Sequence, residues 1–175
     1  LGQYGQRRID IRLFHSNNEK GLIALFTSYS VTGIELVLCG PDMHVPIIEN
    51  ANKHIKNVMR CIITSLPYTC PKIMVIHLVH FAVNRRNMRP EGTRTDNISP
   101  LEVFKGRRLS MKKDAGDSFG SYAQISNTQM NNTMAARTTG AILLGPTMNG
   151  TGTFKFLSLK TFSIVMANHF KILPI

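Results

Sequence analysis

One predicted helix places a carboxylate and a column of cations on the same face. Glu49 is followed four, seven and eleven residues later by Lys53, Lys56 and Arg60. At about 100° per residue in an α-helix, these four side chains fall within an arc of roughly 60°. A metal-dependent phosphoryl-transfer site on DNA uses this combination, because a carboxylate helps to hold a divalent ion and cations hold the phosphodiester backbone. A solvated helix face with an ion pair between Glu49 and Lys53 fits the same spacing.

Four further residues could contribute to such chemistry or to a different site. Asn52 lies on the same helix, and His44 stands just before it, where it could meet a phosphate or simply pack. His77 and His80 have the i,i+3 spacing that can bind zinc. No Cys, Asp or Glu is placed in the sequence to complete that zinc site, which favours structural histidines.

A basic cluster is the second candidate contact with nucleic acid. It lies in a stretch rich in Gly and Pro, where neither helical nor strand periodicity continues. The cluster could contact DNA or act as a nuclear-localisation signal, and a solvated linker fits it equally well. Its members are Lys105, Arg107, Arg108, Lys112 and Lys113.

The charge balance of the whole chain favours polyanionic partners. The sequence has 21 Lys and Arg residues against 10 Asp and Glu residues, which gives a formal net charge of +11. Such an excess attracts nucleic acid through counterion release and long-range steering. A membrane surface is the second candidate, but the longest apolar stretch, residues 73–83, is too short to span a bilayer, and we expect no membrane insertion.

Cysteine usage indicates a reducing compartment. Cys39, Cys61 and Cys70 are odd in number, and no pair has CxxC spacing. The chain begins at Leu1 without a secretory leader, which indicates a fragment of a longer protein. An intracellular location, nuclear or cytoplasmic, follows as an expectation.

The elements that must position the helix form an incomplete α/β layer. Alternation and apolar runs predict two strands, and helical spacing predicts three helices, of which the second begins at Pro46. Because two strands cannot make a stable sheet, further strands are expected upstream of Leu1. The predicted strands cover residues 8–14 and 34–38, and the other two helices cover residues 21–32 and 72–86.

The second half of the chain has a pattern of short apolar runs and turn residues that is typical of a small β-barrel. The connector that precedes this region is predicted to contain a short helical turn over residues 99–104, with Ser99 as its cap. The string MNGTG at residues 148–152 predicts a hairpin turn. Four or five short strands are expected, with candidates at residues 121–125, 137–144, 152–159 and 164–167.

Several strings together resemble the polyprotein of copia-type LTR retrotransposons. ENANKHIK resembles the Glu-x-x-Asn-Lys-x-x-Lys helix of retroviral and retrotransposon integrases. SNNEKGL and GPDMHVPIIE are similar to the family's Ser-Asp-Asn-Glu-Lys-Gly and Gly-Pro-Gly-Gln-His-Val-Pro-Val-Val-Glu. The resemblance covers nearly the whole chain, and the order of the strings is its specific feature. Later strings in the same order are SLPYTCP, ISPLEVFKGRRL, FGSYAQI, MAARTTGAILLGPT, NGTGTFKFLSL and HFKILPI.

The resemblance implies a fold, an activity and a set of site residues. The fold is α/β, with a partial ribonuclease-H-like integrase core at residues 1–88, a basic connector at 89–117 and a small all-β Src-homology-3-like barrel at 118–175. The parent activity is DNA integration by strand transfer, with Mg²⁺ held by an Asp-Asp-Glu triad whose last member is Glu49. The implied partners are DNA, with RNA as a second candidate, and further copies of the chain. The implied nucleic-acid contacts are His44, Asn52, Lys53, Lys56, Arg60 and the basic cluster.

Departures from the family pattern indicate that catalysis is lost. Asn17 stands where the family has its second catalytic Asp, and an amide carbonyl brings no negative charge to divalent ions. The family's first catalytic Asp and its His-His-Cys-Cys zinc module have no counterpart in this chain. We therefore expect a catalytically inactive, nucleic-acid-binding integrase fragment. A protein-interaction module built on the β-barrel is the alternative.

Overall fold

A computed structural model describes residues 12–16, 24, 34–38, 46–90, 97–126, 134, 136–149 and 151–173. The chain forms two compact units, Leu1–Lys56 and Asn57–Ile175. Helices and sheets are mixed, which is compatible with the α/β class. Among the described residues, no helix combines the length and apolar character needed to cross a membrane. The helix predicted over residues 21–32 and the candidate site residues Asn17 and His44 lie outside the described residues.

The first unit contains a parallel pair of strands. Strand β1 spans Leu13–Ser16 and strand β2 spans Glu35–Leu38. They pair in register from Leu13 opposite Glu35 to Ser16 opposite Leu38. The strand predicted at residues 34–38 is confirmed. Of the strand predicted at residues 8–14, residues 13 and 14 lie in β1, and residues 8–11 lie outside the described residues. Parallel neighbours need a crossover connection, which is the βαβ arrangement expected in an α/β layer.

Three α-helices begin at or within one residue of the starts that local sequence signals predict. Helix α1 spans Pro46–Ser65, helix α2 spans Lys72–Asn87 and helix α3 spans Pro100–Lys105. Ser99 caps α3 through a capping box, in which its hydroxyl accepts from the Glu102 N–H and the Glu102 carboxylate accepts from the Ser99 N–H. Gly106 ends α3 in a left-handed conformation with φ of 64°. The predicted cap at Ser99 is therefore confirmed.

A five-stranded antiparallel sheet occupies the rest of the second unit. Its spatial order is β6-β5-β4-β3-β7, so β6 and β7 are the edge strands. The strands are β3 at Tyr122–Ser126, β4 at Thr138–Pro146, β5 at Phe154–Ser158, β6 at Ile164–Ala167 and β7 at Phe170–Ile172. Strands β4 and β5 are consecutive antiparallel neighbours, which confirms the hairpin predicted around residues 148–152. The sheet is open, and the predicted barrel closure stays a prediction.

Both faces of this sheet carry apolar clusters. On one face, Met74, Leu78 and Phe81 of α2 pack with Leu144 of β4 and Leu157 of β5. On the other face, small and large apolar residues of β3, β4 and β5 form a second cluster around Phe156, which is fully buried. Each large side chain buried in this way contributes about 1.5–3 kcal/mol. Helix α2 thus packs on the sheet, across the domain boundary predicted at residue 88.

Candidate nucleic-acid interface

Helix α1 carries the predicted carboxylate and cations on exposed positions. Glu49 lies in its first turn, where a negative charge suits the helix dipole. Lys53, Lys56 and Arg60 are exposed on the same helix, as is Asn52. The ion pairs among the described residues centre on Asp114, and none joins Glu49 to Lys53. Arg60 donates from Nη1 to the Asn57 side chain at 3.0 Å, which aligns its guanidinium along the helix.

The donors near Glu49 do not fit a two-metal site. Glu49 is the only carboxylate of α1. In the described ranges, no group of three or more His, Cys, Asp or Glu side chains is arranged to hold a metal ion. Two-metal Mg²⁺ chemistry needs several carboxylates, because their charges offset those of the divalent ions. One carboxylate and the neutral amide of Asn17 do not supply that charge.

Two members of the basic cluster are bound to a buried carboxylate. Asp114 lies in a π-helical turn, Met111–Ala115, and its side chain is only 3% exposed. Arg107 donates two hydrogen bonds to it, at 2.8 and 2.9 Å, and Lys105 donates a third. The backbone N–H of Ser110 donates a fourth at 2.8 Å. The buried carboxylate therefore accepts four hydrogen bonds from residues of its own segment.

The electrostatics of Asp114 follow from these contacts. Burial acts to raise the pKa of its carboxyl, but the hydrogen bonds from Arg107, Lys105 and the Ser110 N–H outweigh burial. The pKa is consequently held well below its usual range. Charge-assisted, bidentate pairs of this kind are stronger than ordinary hydrogen bonds.

The connector is therefore folded where the structure describes it. Ser99, Leu101, Asp114 and Ala115 are all buried. A solvated linker, one of the interpretations left open by the sequence, does not describe this segment. Lys105, whose side chain is 8% exposed, acts as a structural cation. Arg108, Lys112 and Lys113 are exposed and remain available to a ligand.

A groove of about 1080 Å³ runs between the π-helical turn and the β7 edge of the sheet. Its lining includes Lys112 and Lys113 of the π-helical turn and His169 and Lys171 at the start of β7. The apolar part of its lining includes Phe154 and Phe170, whose ring centroids are 5.1 Å apart. Polar side chains complete the lining, namely Gln124, Ser126, Thr138 and Thr151.

The charge of this groove, which we call the lysine groove, is strongly positive. Asp117 is the one acidic residue in its lining, and it acts on Arg85, which also donates to the Asp117 carbonyl at 3.1 Å. Across the described part of the chain, Lys112, Lys113 and Lys171 form no ion pair. Neighbouring cations that outnumber the single carboxylate repel one another, and a polyanion relieves that repulsion.

The sequence beyond Asp117 reinforces this imbalance. Residues 118–175 contain no Asp or Glu. Their cations are Arg137, Lys155, Lys160 and Lys171. Residues 118–175 therefore carry positive side chains and no acidic side chain that could neutralise them.

The remaining candidates from the sequence do not form a reactive site. His77 is half-buried on α2, and burial together with the nearby Lys155 and His80 lowers its pKa. Within the described ranges, no carboxylate or thiol joins this histidine pair to form a metal site. Cys61 is exposed and Cys70 is partly buried, and both are free thiols; burial raises the pKa of Cys70.

No protein-family model matches this chain, and no curated protein matches it.

The sequence did not predict the part of the lysine groove that Lys171 and His169 form. Lys171 and His169 belong to β7 and the turn before it, and β7 was not among the predicted strands. The missing carboxylates after Asp117 were a usable signal, because they mark the whole β region as a candidate anion-binding surface. Only the register of β3 with β7, which places Lys171 opposite Gln124, locates the groove itself.

Proposed function

We propose that this chain is a nucleic-acid-binding fragment of a copia-type retrotransposon integrase that no longer performs strand transfer. The observation that carries the proposal is the lysine groove. Three lysines without ion-pair partners converge there, from the π-helical turn and from β7. Nucleic acid supplies closely spaced phosphates, and its binding releases condensed counterions for each phosphate that a lysine neutralises.

Helix α1 supplies a second set of contacts in this proposal. Lys53, Lys56 and Arg60 recur every three or four residues on an exposed side of the helix. A row of cations along a helix follows a phosphodiester backbone without reading base edges. Binding is therefore expected to depend weakly on sequence. Duplex DNA is the primary ligand, and RNA is the second.

The loss of catalysis rests on the donor chemistry. Two-metal phosphoryl transfer uses carboxylates on both sides of the attacked phosphate. This chain offers Glu49 for the last carboxylate and Asn17 for the second. The fragment holds nucleic acid in a position from which no metal-assisted attack follows. Self-association and a nuclear or cytoplasmic location belong to the same proposal.

A salt titration tests the proposal. The purified chain is mixed with a short labelled DNA duplex over a series of salt concentrations, with and without Mg²⁺. We expect the logarithm of the binding constant to fall linearly with the logarithm of salt concentration, because counterions are released. Mg²⁺ should add no affinity beyond its effect as a salt. Absence of binding at low salt would contradict the proposal.

A further inference from the structure

The lysine groove combines its cations with apolar surface. Met111 begins the π-helical turn, directly before Lys112 and Lys113, and its side chain is 74% exposed. Phe170 and Ile172 of β7 are half-buried members of the same lining. A phosphate group alone makes no use of apolar surface. The lining therefore suits an anion that also carries apolar faces.

The position of Phe170 is fixed by two aromatic neighbours. Its ring centroid lies 5.1 Å from that of Phe154 and 4.9 Å from that of Phe156, and both pairs have edge-to-face geometry. Phe154 in turn packs against Gly116, where its ring leaves no room for a Cβ. The π-helical turn and β7 are thus connected through these rings, and the apolar part of the groove is preformed.

Alternation along β7 separates the apolar and cationic side chains of that strand. Phe170 and Ile172 pack against the cluster around Phe156, whereas Lys171 lies on the opposite face, in register with Gln124. Because β7 is an edge strand, side chains from both of its faces can border the groove, and all three residues line it. Different parts of the lining therefore meet the apolar and the anionic parts of a ligand.

We propose that the lysine groove binds single-stranded nucleic acid, with unpaired bases against Met111 and Phe170. The backbone phosphates of the strand lie at the three groove lysines. This inference rests on the proposed nucleic-acid-binding function and names the form of nucleic acid that the groove takes. Proteins that bind single strands combine a cationic groove with side chains on which bases stack, and every base has a flat face for such a contact.

Duplex DNA cannot make the same apolar contacts. Its bases are paired and stacked inside the helix, and only their edges are accessible in the two grooves. Sugar and phosphate form the outer surface, which leaves Met111 and Phe170 uncovered. The lysine groove has a volume of about 1080 Å³. Ligand pockets commonly measure about 300–1000 Å³, so the groove has room for bases as well as for phosphates.

Three forms of one DNA sequence test the inference with the whole chain. They are a labelled twelve-nucleotide single strand, the same strand with abasic sites in place of its bases, and the corresponding duplex. The abasic strand is the matched control, because it keeps every phosphate. At equal salt concentration, we expect the intact strand to bind about tenfold more tightly than the abasic strand, as stacking of a base on the protein predicts. An RNA strand of the same sequence shows which of the two single-stranded forms the groove favours.

The methyl groups of the methionines locate the bases by NMR. A base stacked on Met111 shifts the methyl resonance of that residue through the ring current of the base. We expect this shift with the intact strand, and neither with the abasic strand nor with the duplex. Met166 of β6 is 64% exposed and lies outside the groove lining, so its methyl resonance should not move.

Met111→Gln and Met166→Gln form a matched pair of variants. Both methionines are largely exposed, so neither change disturbs a core. Met111→Gln retains the length of the side chain and removes its apolar end. We expect it to weaken binding of the intact strand about threefold and to leave binding of the abasic strand unchanged, because only a base contact is lost. Met166→Gln should alter neither affinity.

Several outcomes would overturn the inference. These are equal binding of the intact and abasic strands, base-dependent binding that leaves the Met111 methyl resonance unmoved, and displacement of the strand by poly-glutamate as effectively as by unlabelled strand. With any of these results, duplex binding that weakens steeply with salt would leave the proposed function standing. Absence of binding by every form of DNA at low salt would contradict both, so the two failures are distinguishable.

Discussion

Arg107 binds Asp114 through two parallel hydrogen bonds, Nη1 to Oδ2 at 2.9 Å and Nη2 to Oδ1 at 2.8 Å. The pair joins the segment after α3 to the π-helical turn that borders the lysine groove. Lys105 and the Ser110 N–H donate two further hydrogen bonds to the Asp114 carboxylate. The basic cluster therefore divides into cations that hold the fold and cations that face solvent. Lys112 and Lys113, which precede Asp114 in the same turn, are held at the groove by this network.

Replacing Asp114 should destabilise the chain. In Asp114→Asn, the largely buried Lys105 would lose the carboxylate that it contacts, and removal of one partner of a buried pair costs about 3 kcal/mol. Urea unfolding followed by circular dichroism measures the loss. The control is Asp117→Asn, an exposed acidic residue three positions later, which should change the free energy of unfolding by less than about 0.5 kcal/mol. Equal stabilities of the two variants would contradict the structural role of Asp114.

The same carboxylate gives stability a defined pH dependence. Its folded pKa lies below the unfolded value, so its contribution is fully present above an unfolded pKa of about 3.9. The contribution declines as the pH falls below that value towards the folded pKa. Urea midpoints measured between neutral and acidic pH should therefore fall on acidification. The fall should be smaller in Asp114→Asn, where the remaining decline includes Glu102, whose pKa is also lowered, chiefly by hydrogen bonds from the Ser99 and Leu109 N–H groups. A wild-type slope in the variant would contradict the assignment.

Two glycines of the connector form a matched pair. Gly116 has φ of +61°, and a Cβ there would lie 2.3 Å from the Phe154 ring, whereas at Gly106, with φ of +64°, a Cβ would meet nothing within 4 Å. Gly106→Ala should therefore cost about 1 kcal/mol, from backbone strain alone. Gly116→Ala should cost about 3 kcal/mol, because a buried aromatic ring must also move. Thermal or urea unfolding of both variants checks the order, and a smaller loss for Gly116→Ala would show that Phe154 does not pack on the turn.

Local sequence signals predicted individual helices and strands. Contacts between residues far apart in the sequence determine where the lysine groove forms. Three features depend on signals within a few residues of sequence, and the structure contains all three. They are the Ser99 cap followed by Pro100, the helix start at Pro46 and the apolar run of β6. Strand β7 has three residues and exists because it pairs with β3, some 45 residues earlier. The sequence showed the five cations of the basic cluster, but only the fold of the π-helical turn shows that Asp114 engages Lys105 and Arg107.

The resemblance to integrases makes a catalytic prediction that can be checked by restoring the altered ligand. Asn17→Asp returns one carboxylate, but a two-metal site also needs a counterpart of the family's first catalytic Asp, and the resemblance supplies none in this chain. We expect no joining of a donor DNA end to a target duplex in Mg²⁺, as measured by gel electrophoresis of labelled DNA. The Asn17→Asp, Glu49→Gln double variant is the matched control. Joining by Asn17→Asp that disappears in the double variant would contradict the expectation that this one carboxylate is not enough to restore catalysis.

The central claim, that the lysine groove binds nucleic acid, is tested most directly by the salt dependence of DNA binding in two charge-matched variants. One replaces Lys112, Lys113 and Lys171 with Gln, and the other replaces Lys72, Lys155 and Lys160, which lie outside the groove lining, with Gln. Each variant loses three positive charges, so a general effect of net charge is the same in both. If each groove lysine contacts one phosphate, the slope of log binding constant against log salt should decrease in magnitude by about 2.7 in the groove variant and little in the control. Equal slopes in the two variants would contradict the claim, because binding would then follow net charge rather than the groove.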